Sequence, residues 1–228
     1  MDWNLVMTFD KLFDLYQSAL PQMLSGMMVT VQISALSILL GLISGFVFGV
    51  LRCQKLGFTY FQKLSEPVIV LFRGTPVFVQ LLISYFALPE LLGTDLSPYW
   101  AGVLTLSVNA CAYITEIVRA GMNSVASSQW DACLVLGYTR LQSLRNVIIP
   151  QALKTILPSL SGELATLIKE SSVLMVIGVP ELLKVSRDIA SRQLVPMEIY
   201  LAAALLYLCM TLTITSLTSL AERKYQWS

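Results

Sequence analysis

Histidine is missing from the 228-residue chain, and charge is scarce: Asp, Glu, Lys and Arg make up only 13% of it. Without histidine there can be no Ser-His-Asp triad, no HExxH zinc site and no His-ligated haem. The cysteines Cys53, Cys111, Cys133 and Cys209 form no CxxC pair, so no disulfide framework and no metal site is expected. A net charge of +1 supplies no basic field for nucleic acid. No GxxxxGK[ST] phosphate loop occurs. The N-terminus has no basic region ahead of a short apolar core. It carries Asp2, Asp10, Lys11 and Asp14, and a cleaved signal peptide is not expected.

What is present is apolar. Hydrophobic residues make up 56% of the chain, and the mean hydropathy is +0.71; soluble domains carry about 25% charge. A transmembrane helix takes roughly 20 residues, so five would take roughly 100. No interval between apolar runs exceeds roughly 40 residues, near the lower limit for an independent soluble domain. The expectation is an all-α polytopic membrane protein, residues 1–228 forming one transmembrane domain.

Five spans are predicted. Residues 3–20 come first, with Leu5, Phe9, Leu12, Phe13, Tyr16 and Leu20 at helical spacing. They read either as an amphipathic helix in the membrane interface or as a leader into the first span. That span, roughly Met23–Leu51, carries no charge and contains the small-residue row Gly41, Gly45 and Gly49, which favours close packing within the chain. The second, roughly Pro67–Leu88, holds Arg73-Gly74-Thr75-Pro76, where a kink or break is expected. The third is roughly Tyr99–Val118, the fourth roughly Ile156–Val179, and the fifth roughly Met197–Leu220. Counting from the N-terminus, one side receives Arg52, Lys55, Lys63, Arg119, Arg140, Arg145, Lys154, Arg223 and Lys224; the other receives Lys11, Lys184, Arg187 and Arg192. The positive-inside rule then places the N-terminus outside and the C-terminus in the cytoplasm.

The polar segment 121–154 therefore faces the cytoplasm. Ser127, Ser128, Gln129 and Asp131 are candidate caps for a helix over 130–136, stopped by Gly137. A second short helix is expected from about Arg140 to Ile149, closed by Pro150. Such a pair is either a solvated loop or a docking ridge for a soluble partner.

Here a family resemblance enters. Asp131-Ala132-Cys133, three residues, Gly137, nine residues, then Val147-Ile148-Ile149-Pro150 resembles the EAA loop of ABC importer permeases, with Asp131 in place of Glu and Cys133 in place of the second Ala. Phe72-Arg73-Gly74-Thr75-Pro76, Ala112 to Gly121, and Leu164 to Ser172 resemble segments of the polar amino-acid permeases of the histidine, glutamine and arginine type. Val125-Ala126-Ser127-Ser128-Gln129 departs from the family's Val-Pro-x-Gly-Gln. The motifs span roughly residues 23–183. The resemblance implies a type I importer fold like that of the methionine permease, in a bacterial cytoplasmic membrane. It also implies a second permease subunit, a P-loop ATPase that binds ATP and Mg, and an extracytoplasmic binding protein. Gln129, Asp131, Ala132, Cys133, Gly137 and Pro150 would couple the chain to that ATPase, with helix 129–137 transmitting its closure.

Ionisable groups at membrane depth face a cavity or a partner. Glu163, Thr166 and Glu170 share one face of the fourth span. Glu163 is a candidate partner for a substrate cation, or alternatively for Arg73 or Lys169. Lys169 and Glu170 are expected to pair structurally. Asn109 and Tyr113 either add hydrogen bonds to substrate or bind neighbouring helices. Arg73, Gly74, Thr75 and Pro76 are assigned to structure or gating. The expected function is ATP-driven import of polar, foremost basic, amino acids by alternating access. Glutamine import is an alternative. A self-contained secondary transporter is less favoured, because no inverted repeat is visible. An intramembrane enzyme lacks a nucleophile–base pair.

Overall fold

The computed structural model describes residues 9–226. Helix α1 runs Phe9–Leu51. After a 3-10 turn at Gln54–Leu56 come α2 (Thr59–Gly74), α3 (Val77–Leu82), a π turn at Ile83–Ala87 and α4 (Leu88–Leu92). Then follow α5 (Pro98–Ser124), α6 (Ser127–Val135), α7 (Arg140–Ser143), a π turn at Leu144–Ile148 and α8 (Ile149–Glu170). A 3-10 segment, Ser171–Ile177, leads to α9 (Leu182–Gln193) and α10 (Pro196–Gln226). No strand occurs among the described residues.

Length and apolarity qualify three stretches as spans among the described residues: Leu12–Leu51, Pro98–Ser124 and Pro196–Leu220. The pair Thr59–Gly74 and Val77–Leu92, bent by 104°, makes a fourth if counted as one broken span. The expected break therefore falls at Thr75-Pro76, where proline removes a backbone donor. Helix α8 carries Lys154, Glu163, Lys169 and Glu170 along its 22 residues.

Helix α5 sits at the centre. Its start is set by Pro98 and by Ser97, whose side chain accepts from the Trp100 amide at 3.5 Å. One core cluster joins Ile114, Val118 and Met122 of α5 to Ile156 of α8 and Trp130 of α6. Towards the other end, Ala101 and Leu106 pack with Ile33 of α1, Leu81 of α3 and Leu174. A third cluster unites Leu15, Ala19 and Met23 of α1 with Leu182 and Ile189 of α9 and Ile199 of α10.

The glycine row packs within the chain. A Cβ on Gly41, Gly45 or Gly49 would lie 2.7, 2.7 and 2.5 Å from the Cβ of Ala110, Ile114 and Val118. Gly121 makes the matching approach to α8, where its Cβ would meet Ile156 Cγ1 at 2.3 Å.

Three local expectations change, and one of two open readings is favoured. Residues 9–20 continue without a break into the first span, and Leu15 and Ala19 pack on protein; residues 3–8 lie outside the described residues. The 181–192 interval, which falls between the fourth and fifth predicted spans, is not a loop but helix α9. Its N-cap is Glu181, whose carboxylate accepts from the Leu183 and Lys184 amides at 2.9 and 2.6 Å. Pro150 does not close a helix. It sits in the first turn of α8, where a missing N–H costs nothing. Finally, α6 starts after Ala126 with no side-chain cap, so none of the four polar candidates fills that role.

Candidate functional site

Two groups of residues emerge, one beside the middle of α5 and one on the 121–154 segment. The first surrounds the break. Gln80 Nε2 donates to the carbonyls of Phe72 and Thr75 at 2.8 and 3.1 Å and to Thr75 Oγ1 at 3.0 Å. Those carbonyls lie at the end of α2, where Pro76 cannot supply a backbone donor. Asn109 of α5 donates to Gln80 Oε1 at 3.1 Å. Tyr113 donates to the Arg73 carbonyl at 3.3 Å. Of the two readings held for Asn109 and Tyr113, the contacts within the chain are those between helices. Asn109 is buried, and Tyr113 is half-buried.

One turn further along α5, Glu116 collects three guanidinium groups. Arg119 makes a bidentate contact, with Nη2 at 2.7 Å; Arg52 Nη1 lies at 3.2 Å and Arg73 Nη1 at 3.7 Å. Arg52 also pairs with Glu66. This hub ties the ends of α1 and α2 to α5. Sequence spacing gave little sign of it, because residues 52, 66, 73 and 116 are far apart in the chain.

Glu163 and Thr166 are half-buried on α8, as is Glu170 one turn beyond. The α5–α8 register follows from the Gly121–Ile156 and Gly102–Leu174 approaches, and it sets Glu163 level with residues 113 and 114. Among the described residues, Glu163 has no ion pair within 4.0 Å and no side-chain hydrogen bond, so the pairing with Arg73 or Lys169 is not formed. The charges whose field reaches it are Glu170 and Arg73. The expected Lys169–Glu170 pair is likewise absent; adjacent helical side chains diverge. Among the described residues no group of three or more His, Cys, Asp or Glu could hold a metal ion.

The second group is the 121–154 segment. Asp131 and Ala132 are exposed on α6, whereas Cys133 is only 2% exposed and faces the core beside Trp130. Cys133 thus anchors the helix and is not open to a partner. Gln129 is also engaged, accepting from Gln151 of α8 at 3.1 Å. Gly137 has φ +76°, and the Tyr138 amide closes back on the Cys133 carbonyl at 2.9 Å, a glycine stop of the kind expected. Leu134, Val135, Leu136 and Leu141 are each more than two-thirds exposed, forming an apolar ridge. Arg140 donates to the Leu56 carbonyl at 3.2 Å, tying the ridge to the turn after α1.

Residues 37–227 match the family described as binding-protein-dependent transport system inner membrane component. The chain belongs to that family. Among its relatives, the arginine transport system permease protein ArtQ of Bacillus subtilis is 35% identical over 205 residues, covering 90% of this chain and 93% of the relative. The glutamine transport system permease protein GlnP of Escherichia coli is 34% identical over 207 residues, covering 90% and 94%. A crystal structure of an amino acid ABC transporter with histidines superposes with a TM-score of 0.83 at 34% identity, covering 96% of this chain and 100% of that one. The MetNI methionine ABC transporter, at 18% identity and a TM-score of 0.78 over 90% and 97%, shares the fold. The chain is thus a multi-pass permease subunit of an amino-acid ABC importer with the type I fold. That fold implies ATPase and binding-protein partners in general.

Proposed function

We propose that this permease imports basic amino acids by alternating access in a bacterial cytoplasmic membrane, N-terminus outside and C-terminus inside. The observation that carries the reading is Glu163: a half-buried carboxylate on α8, level with Tyr113 of the α5 span, and with no cationic partner within 4.0 Å among the described residues. An unpaired carboxylate in that setting is costly unless a cation reaches it. Thr166 shares its face. Support comes from the relative named for arginine and from the transporter solved with histidines. Glutamine is the second reading, favoured by relatives named for it, because a carboxylate also receives an α-ammonium group.

The exposed ridge on residues 134–141 is the face offered to a partner ATPase, which binds the ATP and Mg. Asp131 and Ala132 border it, and Gln129, Trp130 and Arg140 carry force from it to the spans. A second permease subunit completes the pathway.

The test is uptake of a radiolabelled amino-acid panel in cells with and without the chain, with and without ATP. ATP-dependent uptake of arginine, lysine or histidine should be lost with the chain. Glu163→Gln should lower it at least about tenfold, the weight of one charge-assisted contact. Loss of glutamine uptake alone would overturn the basic assignment.

A further inference from the structure

The hub around Glu116 does not balance. Three guanidinium groups, from Arg52, Arg73 and Arg119, face two carboxylates, from Glu66 and Glu116. Two of the cations are committed. Arg52 is only 3% exposed and held by both carboxylates. Arg119 donates from Nε and Nη2 to Glu116 at 2.7–3.0 Å. Arg73 is different. Its side chain is 41% exposed, it touches Glu116 only at 3.7 Å, and its guanidinium makes no hydrogen bond among the described residues. Its Cζ lies over the Tyr113 ring, 5.2 Å from the centroid, so the ring faces the cation without taking up its N–H donors.

We propose that Arg73 receives the α-carboxylate of the amino-acid substrate, in the same space that Glu163 and Tyr113 border. A planar fork of N–H donors matches a carboxylate in bidentate fashion, which a lysine cannot reproduce. The α5–α8 register sets Glu163 level with Tyr113, so a positive and a negative group stand at one level along α5. That pattern complements a zwitterion. Drawing Arg73 away from Glu116 orphans nothing, because Arg119 and Arg52 remain on that carboxylate. The inference rests on the proposed function for the position of the pathway, and not for the identity of the substrate side chain.

The test is equilibrium competition binding to the purified permease–ATPase complex in nanodiscs, without the binding protein. Labelled L-arginine competes with unlabelled L-arginine and with L-argininamide, which lacks the carboxylate; L-glutamine and L-glutaminamide form a second pair. The native chain should bind each amide roughly 10- to 100-fold more weakly than its acid, the range for a hydrogen bond to a charged group. Arg73→Gln should bring acid and amide to equal affinity. Arg73→Lys, which keeps the charge but not the fork, should retain part of the preference. Equal binding of acid and amide by the native chain overturns the proposal and needs no variant. So does an undiminished preference in a folded Arg73→Gln chain. If the native chain and Glu163→Gln bind arginine and glutamine alike while the acid–amide preference persists, the reading of Glu163 fails and that of Arg73 stands.

Discussion

Helix α1 and the broken α2–α3 segment both pass α5, and they are held to it by opposite means. The α1 seam is steric: three glycines let backbone approach backbone, with no room for a methyl group. The α2–α3 contact is polar, running through Gln80, Asn109, Tyr113 and the Arg73–Glu116 pair. Gly74, at the break, has nothing within 4 Å of where its Cβ would stand. The same residue type thus serves close packing in one place and no packing in the other. Dry interdigitated contacts have one good arrangement, whereas hydrogen bonds and ion pairs can exchange partners. Of the two seams, the polar one is therefore the one whose contacts could re-form in a second arrangement.

Substitutions can break this contrast. The largest effect is expected for Gly49→Val. Its side chain would collide with Val118 and with the Thr115 carbonyl at 2.8 Å, so the seam must open. A loss of about 3 kcal/mol is expected, the upper end for overpacking, read as a fall in the thermal midpoint of the detergent-solubilised protein. Gln80→Leu should cost less, about 1–3 kcal/mol for donors and acceptors left unpaired. Its stronger signature is faster proteolysis near residues 75–76, because the ties across the break are gone. Gly74→Ala should be the mildest, with no loss of stability and a gain of at most about 1 kcal/mol. Equal damage from Gly49→Ala and Gly74→Ala would refute the distinction.

Much of this frame was legible in the residues. The charge-free run before Leu51, the glycine period and Pro76 each carry a local signal, and each appears in the fold at that position. Helix α9 was not legible, because its Lys, Arg and Asp residues mask the buried stripe of Leu182, Ser186 and Ile189. Pro150 was ambiguous by nature: a proline ends one helix as readily as it begins another. The candidate site divides in the same way. That Glu163 sits among apolar residues of one helix could be read from its neighbours. That no ion pair reaches it among the described residues could not, since pairing depends on which helices meet. The Glu116 hub and the role of Gln80 were hidden for that reason, and so was the burial of Cys133, whose small volume suits a partner face and a core equally.

Glu181 shows how such distant contacts constrain assembly. Its carboxylate is fully buried, and beyond the two amides of α9 it accepts from the Tyr207 hydroxyl at 2.7 Å. The adjoining Leu182 amide donates to Thr30 Oγ1 at 3.1 Å. The knot therefore draws on the first long helix, the segment after the fourth and the middle of the last. During synthesis, residues 30 and 181 wait for residue 207, and until it arrives the acid has only its own backbone for company. The knot can close only after residue 207 has been made, and a chain stopped short of Tyr207 leaves the Glu181 carboxylate without its hydroxyl donor.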